Sequence, residues 1–325
     1  MYSITARNVN DALVQGLQAL FVHGVKRESR NGPVLVFPTP VTTQYQHPRE
    51  RVLFSAVRDA NPFFHLFEAL WMLAGRNDVA YPSRYVDRMR TYSDDGKVLH
   101  GAYGHRWRNA FGFDQLVVLE KLLRDDPDTR RAHLQMWDPC RDLGIPSKDV
   151  PCNTSAEFWI DLDGKLSMTV FCRSNDALWG AYGANAVHFS ILQEYLACRL
   201  GVEVGRYWQV SNNFHVYLTH EEQCRHLAEE VAENPYEHVQ PRHLVSTPEW
   251  DADLRMFLEE PRSLGFRDSF FRRVALPMAA AHSAYKDESI PKRERVSTAL
   301  RALFLGESCD WIVAAEDWLL RREGK

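Results

Sequence analysis

Two short runs carry residue types that could do covalent chemistry together. Cys152 lies in Asp149-Val150-Pro151-Cys152-Asn153-Thr154, and about twenty residues later the chain reads Arg173-Ser174-Asn175-Asp176. A positive charge beside a thiol lowers its pKa and favours the thiolate, the nucleophilic form. The pairing therefore suggests covalent attack on an anionic substrate. A cysteine taken alone more often behaves as a small buried hydrophobe, so its surroundings must decide.

A second candidate is Glu68. Asn61 followed by Pro62 has the pattern of a helix start, and Gly75 that of a stop, so a helix is expected over 61–75. Phe63, Phe64, Phe67, Leu70, Trp71 and Leu73 cover more than one stripe of it. Glu68 among them is desolvated, with a raised pKa suited to carrying protons, unless it holds the one solvated edge.

The elements that must position these groups alternate between strand and helix patterns. Strands are expected at Pro33 to Pro38, His133 to Trp137, Ser155 to Leu162, Leu166 to Cys172 and Tyr207 to Val210. Asp163-Gly164 reads as a hairpin turn between the third and fourth of these. Alternation puts Leu166, Met168, Val170 and Cys172 on one face, and Ser167, Thr169, Phe171 and Arg173 on the other. A helix is expected over Asn185 to Leu200, stopped by Gly201 and crossing the core. His188 and Cys198 on it read as core or interface residues, and Cys140 as structural. Beyond about Glu233 the texture shifts to prolines, charges and isolated helical pieces, without a clear linker.

Bulk properties exclude several classes. With 325 residues, 45% hydrophobic and 25% charged, the chain has the make-up of a folded globular protein. A formal net charge of −4 offers no overall reason to bind a nucleic-acid backbone. Six scattered cysteines form neither a disulfide framework nor a metal-binding spacing, so no metal is expected. There is no G-x-G-x-x-G or P-loop, which argues against a dinucleotide fold or an NTPase. The N-terminus lacks the pattern of a secretory signal and no apolar run is long enough to span a bilayer, so a cytoplasmic setting is expected.

Six dispersed motifs then fall into one series: Glu68-Ala69-Leu70-Trp71, Tyr103-Gly104-His105-Arg106-Trp107, Thr129-Arg130-Arg131, Pro151-Cys152, Arg173-Ser174-Asn175-Asp176 and Asn213-Phe214-His215-Val216-Tyr217. In order and approximate spacing, from about Arg30 to Tyr217, they resemble the thymidylate synthase family. The resemblance implies an α/β (α+β) fold of one domain over 1–325, divergent over 234–325. Its large mixed sheet is packed by helices, including a long buried central one, and one sheet face forms a homodimer interface. It also implies the chemistry: thiolate addition at C6 of a pyrimidine nucleotide makes C5 nucleophilic towards the one-carbon unit of 5,10-methylenetetrahydrofolate.

Residue by residue, the resemblance makes Cys152 the nucleophile, with Glu68 and the neighbouring Tyr103 managing protons. Arg173 with Ser174, the Arg130-Arg131 pair reaching from the partner subunit, and Arg30 match the phosphate ligands, a role suited to guanidinium forks. His215 and Tyr217 match the ligands of the sugar 3′-hydroxyl, and Asp176 the carboxylate that orders the folate. Asn185 matches the reader of the base only if one extra residue in Gly180 to Asn185 is absorbed as a bulge; otherwise Ala184 fills that position.

Three departures bear on the product. The C-terminus, Asp317 to Lys325, does not match the family's closing tail, Met89 to Ser93 lacks the family's tryptophans, and Asn153 replaces the residue type usual after the nucleophile. A site that is not sealed favours water over hydride at the exocyclic methylene. Hydroxymethylation is therefore expected over methylation, as in the deoxycytidylate hydroxymethylase branch of phages. A conventional thymidylate synthase is the alternative. A non-catalytic nucleotide- or RNA-binding relative is a further one, against which the joint presence of Cys152, Glu68, Tyr103 and the arginines argues. An Asn amide suits uracil in one orientation and cytosine in the other; the expectation leans to uracil, and ribose against deoxyribose stays open.

Overall fold

The structure, a computed structural model, describes residues 1–323 except 232, 233, 246–248, 261, 262 and 264. In chain order its first elements are β1 (Tyr2–Ala6), α1 (Val9–His23), β2 (Val25–Arg27), β3 (Val34–Val36), β4 (Val41–Tyr45), α2 (Pro62–Leu73), α3 (Tyr103–Arg108), α4 (Gln115–Asp125), β5 (His133–Gln135) and α5 (Pro139–Asp142). Then follow β6 (Asn153–Ile160), β7 (Leu166–Cys172), β8 (Asn175–Asp176), α6 (Asn185–Leu200), β9 (Val204–Ser211), β10 (Phe214–Tyr217), α7 (Glu221–Glu229), α8 (Trp250–Glu259), α9 (Leu276–Lys286), α10 (Lys292–Leu303) and α11 (Asp310–Leu320).

A six-stranded mixed sheet runs β1-β4-β9-β7-β6-β5, and a smaller one runs β2-β3-β10-β8. The hairpin β6–β7 sits near the centre of the first. Its turn closes on Asp161, whose Oδ1 accepts from the amides of Asp163 and Lys165, and Gly164 takes φ 74°, where a side chain would be strained. On β7 the residues Leu166, Met168, Val170 and Cys172 all face the core. The opposite face is less uniform than alternation predicts: Ser167 is fully buried, because its hydroxyl donates to Asp161 and accepts from the amide of Arg206. Across that face Trp159 and Trp208 stack at 5.4 Å, with Phe171 and Trp208 only partly covered.

Two helices bring chemistry into the core. Asn61 caps α2 by accepting from the amide of Phe64, Pro62 occupies the first turn, and every residue of α2 except Phe64 is buried. Glu68 thus has no solvated edge. Helix α6 is buried continuously from Asn185 to Ala197 and ends at Gly201 with φ 74°, the expected left-handed cap. Short strands β1, β2 and β4 carry too few residues for a clear pattern, and they escape the sequence reading.

The divergent C-terminal pieces fold back on this body. Apolar contacts run without interruption from Ile4 to Leu319. Trp250, Phe257, Phe266 and Phe271 form an aromatic cluster, and Trp318 of α11 meets Phe63 of α2 edge-on at 5.5 Å. Beyond α11, Arg321 and Arg322 both pair with Asp59 just before α2. No helix among the described residues is long and apolar enough to cross a membrane.

Gly104 shows how closely α3 lies on α2: a Cβ there would stand 1.9 Å from the carbonyl oxygen of Met72. Backbone cannot yield as a side chain can, so Gly104→Ala is expected to destabilise the protein by about 1–3 kcal/mol or more, read as a lower urea midpoint. An unchanged midpoint would mean that the two helices are free to separate.

Candidate active site

The β6–β7 hairpin joins the two sequence runs. Cys152 ends the loop that feeds β6, and Arg173 follows β7, the antiparallel neighbour of β6; Asn153 pairs with Cys172. The amide of Arg173 donates to the carbonyl of Cys152 at 2.8 Å. Its guanidinium reaches back over the loop, Nε donating to Pro151 O at 2.8 Å and Nη2 to Val150 O at 3.0 Å, and Nη2 lies 3.8 Å from Sγ of Cys152. Nη1 makes no intramolecular bond among the described residues, so it is free for a ligand. Arg30, in the turn between β2 and β3, is close enough for its charge to be felt at the thiol.

The expectation of a lowered thiol pKa is corrected by the structure. Burial raises the Cys152 pKa above its ordinary 9.0, outweighing the pull of Arg173 and Arg30, and Asp149 adds to the rise. At neutral pH the group is therefore a thiol.

Tyr103, at the start of α3, lies against Cys152. Its hydroxyl oxygen accepts from the amides of both Cys152 and Asn153 at 3.1 Å, which leaves its own hydrogen unspent. Glu68 is held as an acid: burial, with the charge of Asp149 second, raises its pKa to about 8. Asp149, itself pushed up by burial, is fixed by the amide of Gly101 at 2.8 Å. Nε2 of His188 stands 3.3 Å from Oε2 of Glu68 and has no hydrogen bond. Burial lowers the His188 pKa to about 3, so the imidazole is neutral. His188 therefore touches the candidate acid, a contact absent from the sequence reading, which gives it only a core or interface place.

The stretch before Asn185 is irregular: Ala177–Ala184 is π-helical but broken at Tyr182 and Gly183, whose backbone is out of helical conformation. Asn185 then opens α6, buried, with Oδ1 accepting from Asn153 and Nδ2 donating to Asn175, each at 3.0 Å. Asp176 starts the π-helix by accepting from Trp179 N at 2.6 Å through Oδ1, while its buried Oδ2 has no partner. Burial raises its pKa, and His215 and Arg58 oppose this.

His215 lies directly across from Asp176 in the β10–β8 pairing, and its ring is 5.4 Å from that of Tyr217, so the two share a side as expected. Ser174 is half-buried beside Arg173. Arg130 and Arg131, before β5, are exposed and make no side-chain bond within the chain among the described residues. They are not brought into this chain's own site.

A cavity of about 870 Å³ is lined by Asp176, Tyr217, Ala184, Trp179, Arg58 and Asp59 among others; Cys152, Arg173, Glu68, Tyr103 and Asn185 are not among its lining residues. The Arg58 guanidinium carbon sits 4.2 Å over the Trp179 ring and His220 meets the ring edge-on at 5.4 Å. Burial lowers the Arg58 pKa to about 10. An aromatic face, a cation and an unpartnered carboxylate oxygen fit a flat, hydrogen-bonding, acidic co-substrate. Arg58 and Trp179 escape the sequence reading, and Asp149 and Asn175 stand in its motifs without a part of their own, because these contacts arise only from folding.

For Glu68 the sign follows from its raised pKa. Between pH 4.5 and about 8 the folded state holds a proton that the unfolded state has released, so stability falls as pH rises. Glu68→Gln removes this dependence. Its stability relative to the parent should improve by up to about 1.4 kcal/mol per pH unit across that window, measured by denaturation at several pH values. Parallel curves would place Glu68 in water.

The thymidylate synthase family model matches residues 13–251. The deoxyuridylate hydroxymethyltransferase of Pseudomonas phage M6 is 53% identical, the alignment covering 99% of this chain and 95% of the relative. Proteins of the same name from Bacillus phage SP01 and Delftia phage PhiW-14 are 40% and 34% identical, over 55% and 68% of this chain and 49% and 63% of theirs.

Proposed function

The chain belongs to the thymidylate synthase family, and from that premise we propose that it is a deoxyuridylate hydroxymethyltransferase: a one-carbon transferase that places a hydroxymethyl group on C5 of deoxyuridine 5′-monophosphate. The observation that carries the reading is the 53% identity, over nearly the whole length of both chains, to a relative of that name. The leaning to uracil and the preference for hydroxymethylation over methylation agree with it, whereas the resemblance to a deoxycytidylate branch gives way to a deoxyuridylate one.

The co-substrate is 5,10-methylenetetrahydrofolate, which supplies the one-carbon unit. Asp176 through Oδ2, Trp179 and Arg58 would hold it, as their geometry in the cavity allows. Cys152 Sγ donates the electron pair that bonds C6 and takes it back when the product is released. Glu68, protonated at neutral pH, moves protons beside the ring, with Tyr103 as a neighbouring donor. Nη1 of Arg173, Arg30 and Ser174 face the phosphate, and His215 and Tyr217 the sugar.

Water reaches the exocyclic methylene because the cavity is not sealed. None of the residues Asp87–Tyr92 at its edge is buried, and Arg321 and Arg322, just after α11, are held by Asp59 at the rim. The whole chain acts as one domain, and a second copy completes the site. The incompletely covered sheet face with Trp159, Trp208 and Phe171 is the interface, and the partner subunit's Arg130 and Arg131 reach the phosphate.

Labelled methylenetetrahydrofolate and deoxyuridine monophosphate should give 5-hydroxymethyl product with tetrahydrofolate released; stoichiometric dihydrofolate would assign the methylating reaction instead. Cys152→Ala and the double variant Arg130→Ala/Arg131→Ala should each be inactive alone. Mixing the two, with subunit exchange, should restore part of the activity. No recovery would return the arginines to a surface role.

A further inference from the structure

The amide of Asn185 is clamped at both ends by other amides. Asn153 Nδ2 donates to Asn185 Oδ1, and Asn185 Nδ2 donates to Asn175 Oδ1, each at 3.0 Å. The line continues inward, where Asn175 Nδ2 donates to Gln209 Oε1 and Ser211 Oγ, both at 2.9 Å, and Gln209 Nε2 donates to the Tyr207 oxygen at 3.0 Å. Asn153 and Gln209 are fully buried, Asn175 nearly so, and Asn185 is 9% exposed. Water therefore cannot repair a mismatch within the line.

Every carboxamide has one donor end and one acceptor end, so reversing Asn185 alone would set oxygen against oxygen at Asn175 and nitrogen against nitrogen at Asn153. A buried mismatch of this kind leaves each polar group without a partner and is strongly unfavourable. The four amides must reverse together or not at all. Both senses can close at the inner end, because the hydroxyls of Ser211 and Tyr207 can donate or accept. Asn153 alone has an open end, its Oδ1 being buried without a partner beside the nucleophile. The side chains at 153 and 209 therefore decide the sense.

We propose that Asn153, Asn175 and Gln209 are positioning residues whose hydrogen-bond relay fixes the orientation of the Asn185 amide and so selects the pyrimidine base. This rests on Asn185 as base reader. In the sense present in the structure the outward donor and acceptor of Asn185 suit one base, and in the reversed sense they suit the other. Uracil offers N3–H and an O4 acceptor where cytosine offers an N3 acceptor and an N4 amine. The proposal assigns uracil to the present sense.

An acceptor-only side chain at either end tests this in opposite directions. Asp at 153 cannot donate to Asn185 Oδ1, so Asn153→Asp must reverse the relay. Glu at 209 can only accept from Asn175, so Gln209→Glu holds the relay as it stands. The readout is the ratio of kcat/KM for deoxyuridine to that for deoxycytidine monophosphate. Asn153→Asp should lower the ratio at least about tenfold, the discrimination expected of one bidentate contact to a base. Gln209→Glu should keep or raise it. Equal losses on both substrates with either variant, or a matching shift towards cytosine with Gln209→Glu, would overturn the relay. Should Asn153→Asp fail to fold, Asn153→Ala removes the same donor and should lower the ratio several-fold; an unchanged ratio counts against the relay equally. Asn185→Asp separates the two levels. If it leaves base preference unchanged, Asn185 is not the reader; if it shifts preference while Asn153→Asp does not, the reader stands and the relay falls.

Discussion

Arg173 binds the carbonyls of Val150 and Pro151 while lying 3.8 Å from the sulfur of Cys152, and the rest of the site is arranged around that grip. The β6–β7 pairing makes it possible, because an antiparallel hairpin brings the start of one strand beside the end of the other. The guanidinium is thus used twice, on the loop that carries the sulfur and as the charge beside it, with Nη1 left unbonded among the described residues. Tyr103 supports the same loop from below by accepting two of its amides.

Burial, more than pairing, governs the titratable groups. Cys152, Glu68, Asp149 and Asp176 are all shifted towards their neutral forms, with loss of water the largest cause in each. Cys152 therefore rests as a thiol and Glu68 as an acid at neutral pH.

The irregular stretch before α6 shows how a local break sets which side chains a helix presents. One residue more or less in a regular helix turns every later side chain by about 100°, at 3.6 residues per turn. The π-helical stretch Ala177–Ala184 breaks that regularity, and α6 opens on Asn185 with His188 about one turn on. Gly183, far from helical conformation, permits the break.

Local chemistry sufficed for the elements whose signals are self-contained. The cap at Asn61, the stop at Gly201, the turn at Gly164 and the alternation along β7 depend on near neighbours, and they are legible in the sequence. So are Cys152, Arg173, Glu68, Tyr103 and the other motif residues as types, because their order matches a family. Three outcomes required the tertiary structure. The pKa of Cys152 depended on how much water burial removes, which no spacing reveals. The place of Asn185 at the start of α6, bonded to Asn153 and Asn175, depended on the break at Tyr182 and Gly183, which no local signal announces. The contacts of Asn153, Asn175 and Gln209 join residues far apart in the chain, and their meaning lies in hydrogen-bond direction, which exists only once the strands and α6 have packed.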